Sequence, residues 1–117
     1  MDNTFGEALR EYRRTAGLSQ RDLAERTKLD FSYISKVENG RLPPPAADTI
    51  VQICNVLQIP SEELLALTGK IPSAVQQNVS TNRTAQEFLR EAQEMGLTDD
   101  EWKKMVKSLR NLKGRRR

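Results

Sequence analysis

Residues 18–41, LSQRDLAERTKLDFSYISKVENGR, decide the fold of this chain. In each half of the stretch apolar or small side chains recur at helical spacing, at Leu23 and Ala24 and again at Ile34 and Val37. The pattern predicts two short helices joined by a tight turn, each with one face turned towards a core.

The same stretch carries signals for where both helices start and stop. Ser19 with Asp22 three residues later predicts the N-cap of the first helix, and Asp30 predicts that of the second. In both cases a side-chain oxygen can accept an unpaired backbone N–H. Gly40 predicts the end of the second helix.

The outer face of the second predicted helix is polar and positively charged. With Ile34 turned inward and about 100° of rotation per residue, the opposite side carries Ser32, Ser35, Lys36 and Asn39. Short hydroxyls beside a lysine can approach bases and phosphates without obstruction. An ordinary solvated face has the same composition, so the pattern alone leaves both interpretations open.

The order of residues in this stretch is specific. Gln20 opens the first helix, Ala24 stands where the two helices touch, Ile34 faces the core, and Glu38-Asn39-Gly40 closes the second helix. In these features the chain resembles the helix-turn-helix of the Cro/CI family, often called XRE-type, over roughly residues 5–68. The resemblance implies an all-α, five-helix lambda-repressor-like DNA-binding domain whose second motif helix lies in the major groove.

Carried over by position, the resemblance also implies DNA contacts. Candidate base readers are Phe31, Ser32 and Lys36. Phe31 either touches a thymine methyl group or folds back as core. The candidate contacts to phosphates, or for positioning, are Gln20, Asn39 and Arg41. Apart from the resemblance, three more residues are candidates for DNA binding. Lys28 can point at a phosphate, the Tyr33 ring can pack while its hydroxyl reaches a phosphate oxygen, and Arg21 is one of the basic side chains that could gather on one side.

One departure and one ion pair follow from the same comparison. Lys28 occupies a turn position that is commonly glycine in the family, and a left-handed backbone at a non-glycine residue costs roughly 1 kcal/mol. In the family pattern an arginine of the first helix pairs with the glutamate of the closing Glu-Asn-Gly. In this chain the pattern joins Arg13 to Glu38.

Three further helices are predicted in residues 1–69. The first begins with a Thr4-x-x-Glu7 capping box and ends at Gly17. The run Leu42-Pro43-Pro44-Pro45 predicts an extended loop. The fourth and fifth helices are predicted over about 48–57 and 61–69.

Residues 70–117 differ from the first domain in charge. Residues 1–69 hold eight Lys or Arg and ten Asp or Glu, a net charge of −2, whereas residues 70–117 hold eleven and six, a net charge of +5. DNA binding by the first domain therefore requires its basic side chains to gather locally, because affinity depends on the phosphates that are met.

The second half predicts a linker, a helical hairpin and a tail. The linker, 70–83, holds either one short helical turn or mobile chain. The hairpin, 84–113, has capping boxes at Thr84-x-x-Glu87 and Thr98-x-x-Glu101. The basic tail, 114–117, is either solvated or a source of phosphate contacts.

The predicted hairpin carries an apolar face that is too small to be stable alone. It can self-associate, pack on its own first domain, or bind another protein. Its order of residues resembles the C-terminal hairpin of SinR-type repressors, in which the hairpin oligomerises and is captured by an antirepressor. The candidate oligomerisation residues are Phe88, Leu89, Ala92, Met95, Trp102, Met105, Val106 and Leu109.

Composition argues against other functional classes. There is no histidine, and no carboxylate pair, phosphate loop or metal-ligand spacing indicates an enzyme, a cofactor or a metal site. The single Cys54 excludes an internal disulfide and fits a buried thiol in a reducing cytosol. Without a run of 18 apolar residues or a signal peptide, a cytoplasmic protein that does not enter membranes is expected.

We therefore expect a sequence-specific DNA-binding transcriptional regulator that acts as a repressor. As a homodimer it would place two recognition helices about 34 Å apart on an inverted repeat of double-stranded DNA. The alternatives are an antitoxin or immunity-type partner whose hairpin covers a toxin, and a protein-interaction adaptor that no longer binds DNA.

Overall fold

The computed structural model describes residues 3–114, and all regular structure in that range is helical, which confirms the all-α prediction. The helices are α1 (Thr4–Thr15), α2 (Gln20–Thr27), α3 (Phe31–Glu38), α4 (Ala47–Leu57), α5 (Glu62–Leu65), α6 (Ser73–Ser80), α7 (Arg83–Met95) and α8 (Asp99–Leu112). Helix α5 is shorter than predicted, because turns replace the helix from Ala66 onwards.

The predicted caps of α2 and α3 are confirmed. Ser19 and Asp22 form a reciprocal capping box at the start of α2. The Asp30 carboxylate accepts the backbone N–H of Ser32 at 3.1 Å. These caps fix both ends of the turn between the helices, because each satisfies backbone N–H groups that have no partner within the helix.

The turn between α2 and α3 passes through a left-handed residue. Lys28 has φ = 60° and ψ = 31°. The side-chain amide of Gln52 in α4 donates to the carbonyl oxygen of Thr27 at 2.7 Å, which satisfies the end of α2. The turn therefore has a left-handed backbone although the residue is not glycine.

One apolar core holds α1 to α5 together. Leu9, Leu23, Ile34, Ile53 and Leu64 are among its fully buried side chains. Removing such a side chain typically costs about 2 to 5 kcal/mol, because a cavity is left behind. The core thus supplies the rigid support on which α3 rests.

Two predicted capping boxes are wrong. Helix α1 has Asn3 as its N-cap, with the backbone N–H of Glu7 bonded to the carbonyl oxygen of Asn3, so Thr4 is already inside the helix. Helix α7 begins at Arg83, and its N-cap is Asn82, which accepts from the backbone N–H of Ala85 at 2.9 Å. At α7 the asparagine side chain takes the capping role in place of the threonine. At α1 the Asn3 side chain makes no capping hydrogen bond.

The third predicted box is confirmed at the start of α8. The Thr98 hydroxyl and the Glu101 carboxylate each accept a backbone N–H from the other residue. Gly96, at φ = 60°, ends α7.

The described residues divide into two compact units between Gln76 and Gln77. Helix α6 occupies eight residues of the predicted linker, 70–83, so most of that segment is helical. The backbone N–H and hydroxyl of Ser73 both donate to the Asp48 carboxylate, and the Lys70 ammonium donates to the carbonyl oxygens of Pro44 and Pro45. Of the predicted tail 114–117, residues 115–117 lie outside the described range.

Candidate nucleic-acid interface

Helix α3 turns one side into the core and the other to solvent. Ile34 and Val37 are buried, and α3 packs against α1 and α2. Phe31, Ser32 and Lys36 are exposed. The three candidate base readers therefore lie on the solvent side of a helix whose other side is fixed.

Four of the candidate DNA contacts are basic side chains that form no ion pair with an acidic residue of the described range. Arg21, Lys28, Lys36 and Arg41 are all exposed, and their side chains form no hydrogen bond or ion pair within residues 3–114. Unpaired cations beside a helix motif are available to phosphates or bases. Arg10 and Arg13, by contrast, are used inside the domain.

The last residue of α3 is a fully buried carboxylate that receives several donors. Arg13 donates to the two oxygens of Glu38 at 2.6 and 2.9 Å. The side-chain amide of Gln20 donates to Oε1 at 2.9 Å, and Nε of Arg10 donates to the same oxygen at 3.4 Å. Donors from α1 and α2 thereby meet at the end of α3.

The charge of Glu38 is maintained by these donors. Burial acts to raise the pKa of Glu38, but the hydrogen bonds from Arg13 and Gln20 outweigh it, so that the pKa lies below its ordinary value. The hydrogen bond to Glu38 likewise raises the pKa of Arg13 against the effect of burial. A buried charge is tolerated here because it is both paired and hydrogen-bonded.

Two candidate DNA contacts already have partners within the domain. The Gln20 amide N–H is bonded to Glu38, as described, and Oδ1 of Asn39 accepts from Nη2 of Arg10 at 2.7 Å. Asn39 nevertheless stays exposed, whereas Gln20 is half-buried. Both residues hold the ends of the two motif helices in place.

Three residues that support this arrangement were not predicted. The side-chain amide of Asn3 donates to the carbonyl oxygen of Glu38 at 2.9 Å, and Arg10 joins the cluster as described. Gly6 lies where a Cβ would be 2.6 Å from the carbonyl oxygens of Val37 and Glu38. A glycine inside a predicted helix was the one available signal of this close approach.

The two aromatic candidates differ in their surroundings. Phe31 is 38% exposed and lies outside the core, and Cζ of Arg21 lies 4.4 Å from the centroid of its ring. Tyr33 packs partly against the core, and burial raises the pKa of its hydroxyl. Phe31 therefore lies outside the core and contacts Arg21. The Tyr33 ring packs against the core.

The hairpin of α7 and α8 exposes most of its predicted oligomerisation residues. Met95 and Leu109 are 72% and 66% exposed, and Ala92 is the one buried member. One apolar groove is lined by residues that include Val79, Phe88 and Trp102. These side chains form an apolar surface within the second unit.

Two structural findings concern other classes of site. No group of cysteine and acidic side chains within residues 3–114 is placed to hold a metal ion. No helix in the same range combines the length and apolarity needed to cross a membrane.

Comparison with known families bears directly on the two motif helices. A family model described as a helix-turn-helix domain matches residues 4–67, more than half of the chain. The chain belongs to the helix-turn-helix domain family. The predicted resemblance to XRE-type helix-turn-helix proteins is thereby confirmed.

Two curated relatives each match more than half of the chain. RghRB of Bacillus subtilis (strain 168), named an uncharacterized HTH-type transcriptional regulator, is 40% identical over 67 residues, 57% of this chain and 48% of that protein. RghR of the same organism, named an HTH-type transcriptional repressor, is 35% identical over 68 residues, 58% of this chain and 50% of that protein. The chain thus spans about half the length of these curated relatives.

A solved structure is similar over nearly the whole chain. The SinR protein/SinI protein complex aligns with a TM-score of 0.52 at 19% identity, covering 95% of this chain and 99% of that chain. At this level of identity the likeness concerns the fold.

Proposed function

We propose that the chain is a sequence-specific DNA-binding transcriptional regulator whose helix α3 enters the major groove. The observation that carries the proposal is the contrast between the two sides of α3. Lys36 and Ser32 are exposed without a protein partner for their side chains, while Glu38 ties the end of the helix to α1 and α2. A helix whose core side is packed against the domain and whose polar side is exposed to solvent can enter a groove of DNA without rearrangement.

The names of the relatives support regulation of transcription, and one of them supports repression. RghRB is named a transcriptional regulator and RghR a transcriptional repressor. We infer that this chain acts as a repressor, because a protein that occupies a promoter excludes polymerase. Such a regulator works in the cytoplasm, the compartment of bacterial DNA.

The hairpin is the proposed dimer interface. Its exposed apolar side chains, with Trp102 at the groove, need a cover. The distribution of charge along the hairpin favours a second copy of the chain as the partner that buries these side chains. Residues 83–101 hold two basic and six acidic residues, while residues 102–114 hold five basic residues and no acidic one. A two-fold axis can bring the acidic part of one hairpin to the basic part of the other.

A second candidate occupant of the groove is another protein. The solved structure with a similar fold is a complex of SinR protein with SinI protein. An antirepressor or toxin that covers the groove would compete with self-association, and it would make the chain a DNA-binding partner protein rather than a simple repressor.

DNA binding is tested by selecting duplexes from a random-sequence pool with the full chain and measuring retardation of the enriched duplex. We expect an inverted repeat with half-sites about 10 base pairs apart, bound at nanomolar protein. Lys36→Glu should abolish binding, whereas Arg83→Glu makes the same charge change on α7 and should preserve it. Enrichment of no sequence would contradict the proposal.

The dimer is tested by sedimentation equilibrium of the free chain. Trp102→Ala should yield monomers that still bind a single half-site but lose affinity for the inverted repeat. Gln93→Ala, an exposed polar position of α7, serves as the control and should leave the mass unchanged. An unchanged mass for Trp102→Ala would remove the hairpin from the interface.

A further inference from the structure

Arg21 and Phe31 form a stacked pair between the two motif helices. Arg21 lies in the first turn of α2 and Phe31 is the first residue of α3. Cζ of Arg21 lies 4.4 Å from the centroid of the Phe31 ring. A guanidinium over an aromatic face is attracted by the ring quadrupole, so the pair is held together before any ligand arrives.

The stack leaves the hydrogen-bonding edge of Arg21 unused. A guanidinium carries five N–H donors in its plane, and an attraction between the cation and an aromatic ring uses none of them as a hydrogen-bond donor to an oxygen or nitrogen. Within the described part of the chain the Arg21 side chain has no hydrogen bond or ion pair. The Asp30 carboxylate at the start of α3 accepts from the backbone N–H of Ser32, and it forms no ion pair with Arg21.

We propose that this pair is a preformed reader of a guanine in the major groove. Guanine presents the acceptors O6 and N7 on its groove edge, and the fork of one arginine can donate to both. Phe31 acts as the positioning residue, since it orients the plane of Arg21. The inference rests on the proposed DNA binding, and it adds a specificity-determining residue on α2 to those of α3.

Preorganisation is the physical advantage of such a pair. A free arginine side chain has many rotamers, and ordering it on binding costs conformational entropy. The Phe31 ring removes part of that cost before the duplex is met. Lysine cannot replace the arginine in this role, because an ammonium is a point charge without a planar fork.

The test of Arg21 compares base preferences of full-length variants selected on random duplexes. The wild-type chain should require one guanine in each half-site, and Arg21→Ala and Arg21→Lys should lose that requirement, with discrimination at the position falling about 5- to 150-fold. Arg26→Ala removes the same charge from the same helix. It should weaken binding to all sequences equally and keep the guanine.

The test of Phe31 asks whether it acts through Arg21. Phe31→Leu should lower discrimination at the same guanine about two- to fivefold, and Phe31→Tyr, which keeps a ring, should restore it. Replacing that guanine by 7-deazaguanine removes N7 and should reduce the difference between wild type and Phe31→Leu. Thermal melting of each free variant checks that it is folded.

Two results would overturn the proposal. One is an unchanged set of base preferences in folded Arg21→Ala, and the other is full guanine discrimination in folded Phe31→Leu. A wild-type chain that enriches no sequence at all would instead refute DNA reading as a whole, so the two failures are distinguishable.

Discussion

The Arg13 guanidinium binds both carboxylate oxygens of Glu38, at 2.6 and 2.9 Å, across a separation of 25 residues. Nη1 of the same arginine donates to the carbonyl oxygen of Leu18 at 2.9 Å, immediately before α2. One side chain of α1 thus fixes the end of α3 and the approach to α2. Bidentate pairing of this kind restricts orientation as well as distance.

Glu38→Gln should lower the free energy of unfolding by about 3 to 5 kcal/mol, because it leaves the buried Arg13 charge without a counter-charge. Urea denaturation of both proteins measures the change. The double variant Arg13→Met with Glu38→Leu, which removes both charges, should recover much of the loss. A single variant as stable as wild type would contradict the structural role of the pair.

Acidification should destabilise the domain. The pKa of Glu38 is lower in the native state than in the unfolded chain, where a glutamate titrates at about 4.3. Its stabilising contribution is therefore present above that value and is lost as pH falls through the native pKa. The lowered pKa values of Asp22 and Asp48 act in the same direction. The urea midpoint of unfolding, measured at pH 7, 5, 4 and 3, should decrease once the pH is below about 4. The difference in midpoint between wild type and Glu38→Gln should become smaller over the same range.

Gly6→Ala should destabilise the domain by about 1 to 3 kcal/mol, because the added Cβ meets backbone oxygens that cannot move aside freely. Gly17→Ala is the contrasting variant. A Cβ there has open space, and its cost of about 1 kcal/mol comes only from the left-handed backbone. Thermal melting measures the loss of stability in each variant. Retardation of the selected duplex distinguishes the two, since only the Gly6 variant should also weaken DNA binding by displacing α3.

Lys28→Gly separates backbone strain from a phosphate contact. Lys28 and Gln58 are the two non-glycine residues with positive φ in the described range, at 60° and 58°. Glycine at either position should change stability by no more than about 1 kcal/mol, since relief of strain is offset by unfolded-state entropy. Only Lys28→Gly should reduce the salt dependence of operator affinity, by about one unit of slope. Equal salt slopes for both variants would exclude the phosphate contact.

Lys36→Ala distinguishes base reading from backbone contact. If Lys36 reads a base, the variant should lose about 1 to 3 kcal/mol of binding free energy for the selected duplex and relax the preference at one position. Titration of a panel of single-base changes measures this pattern. Uniform weakening across the panel would instead assign Lys36 to a phosphate.

Local signals in the sequence predicted the motif well. Ser19 and Asp30 each accept a backbone N–H from a residue no more than three positions away. The starts of α2 and α3 could therefore be predicted without tertiary information. The linker was harder to predict, because α6 begins where Asp48, 25 residues earlier, accepts the first N–H of the helix. No local pattern contains that contact.

The candidate site shows the same division. The rotation of about 100° per residue predicts which side of α3 is exposed, but it does not predict the hydrogen-bond partners of Arg10. Its bonds to Glu38 and Asn39 span 28 and 29 residues, and nothing in the sequence distinguishes it from Arg21, whose side chain forms no hydrogen bond within the described residues. Which arginines face a ligand and which hold the protein together depends on long-range packing, which periodicity does not encode.

The contacts of Lys70 and Ser73 have a practical consequence for isolating the first unit. A fragment cut at Gly69 would strip Asp48 of both its donors and leave the carbonyl oxygens of Pro44 and Pro45 without the ammonium that caps them. Cutting after Gln76 keeps these bonds, so the shorter fragment should be digested faster by proteases at the proline loop.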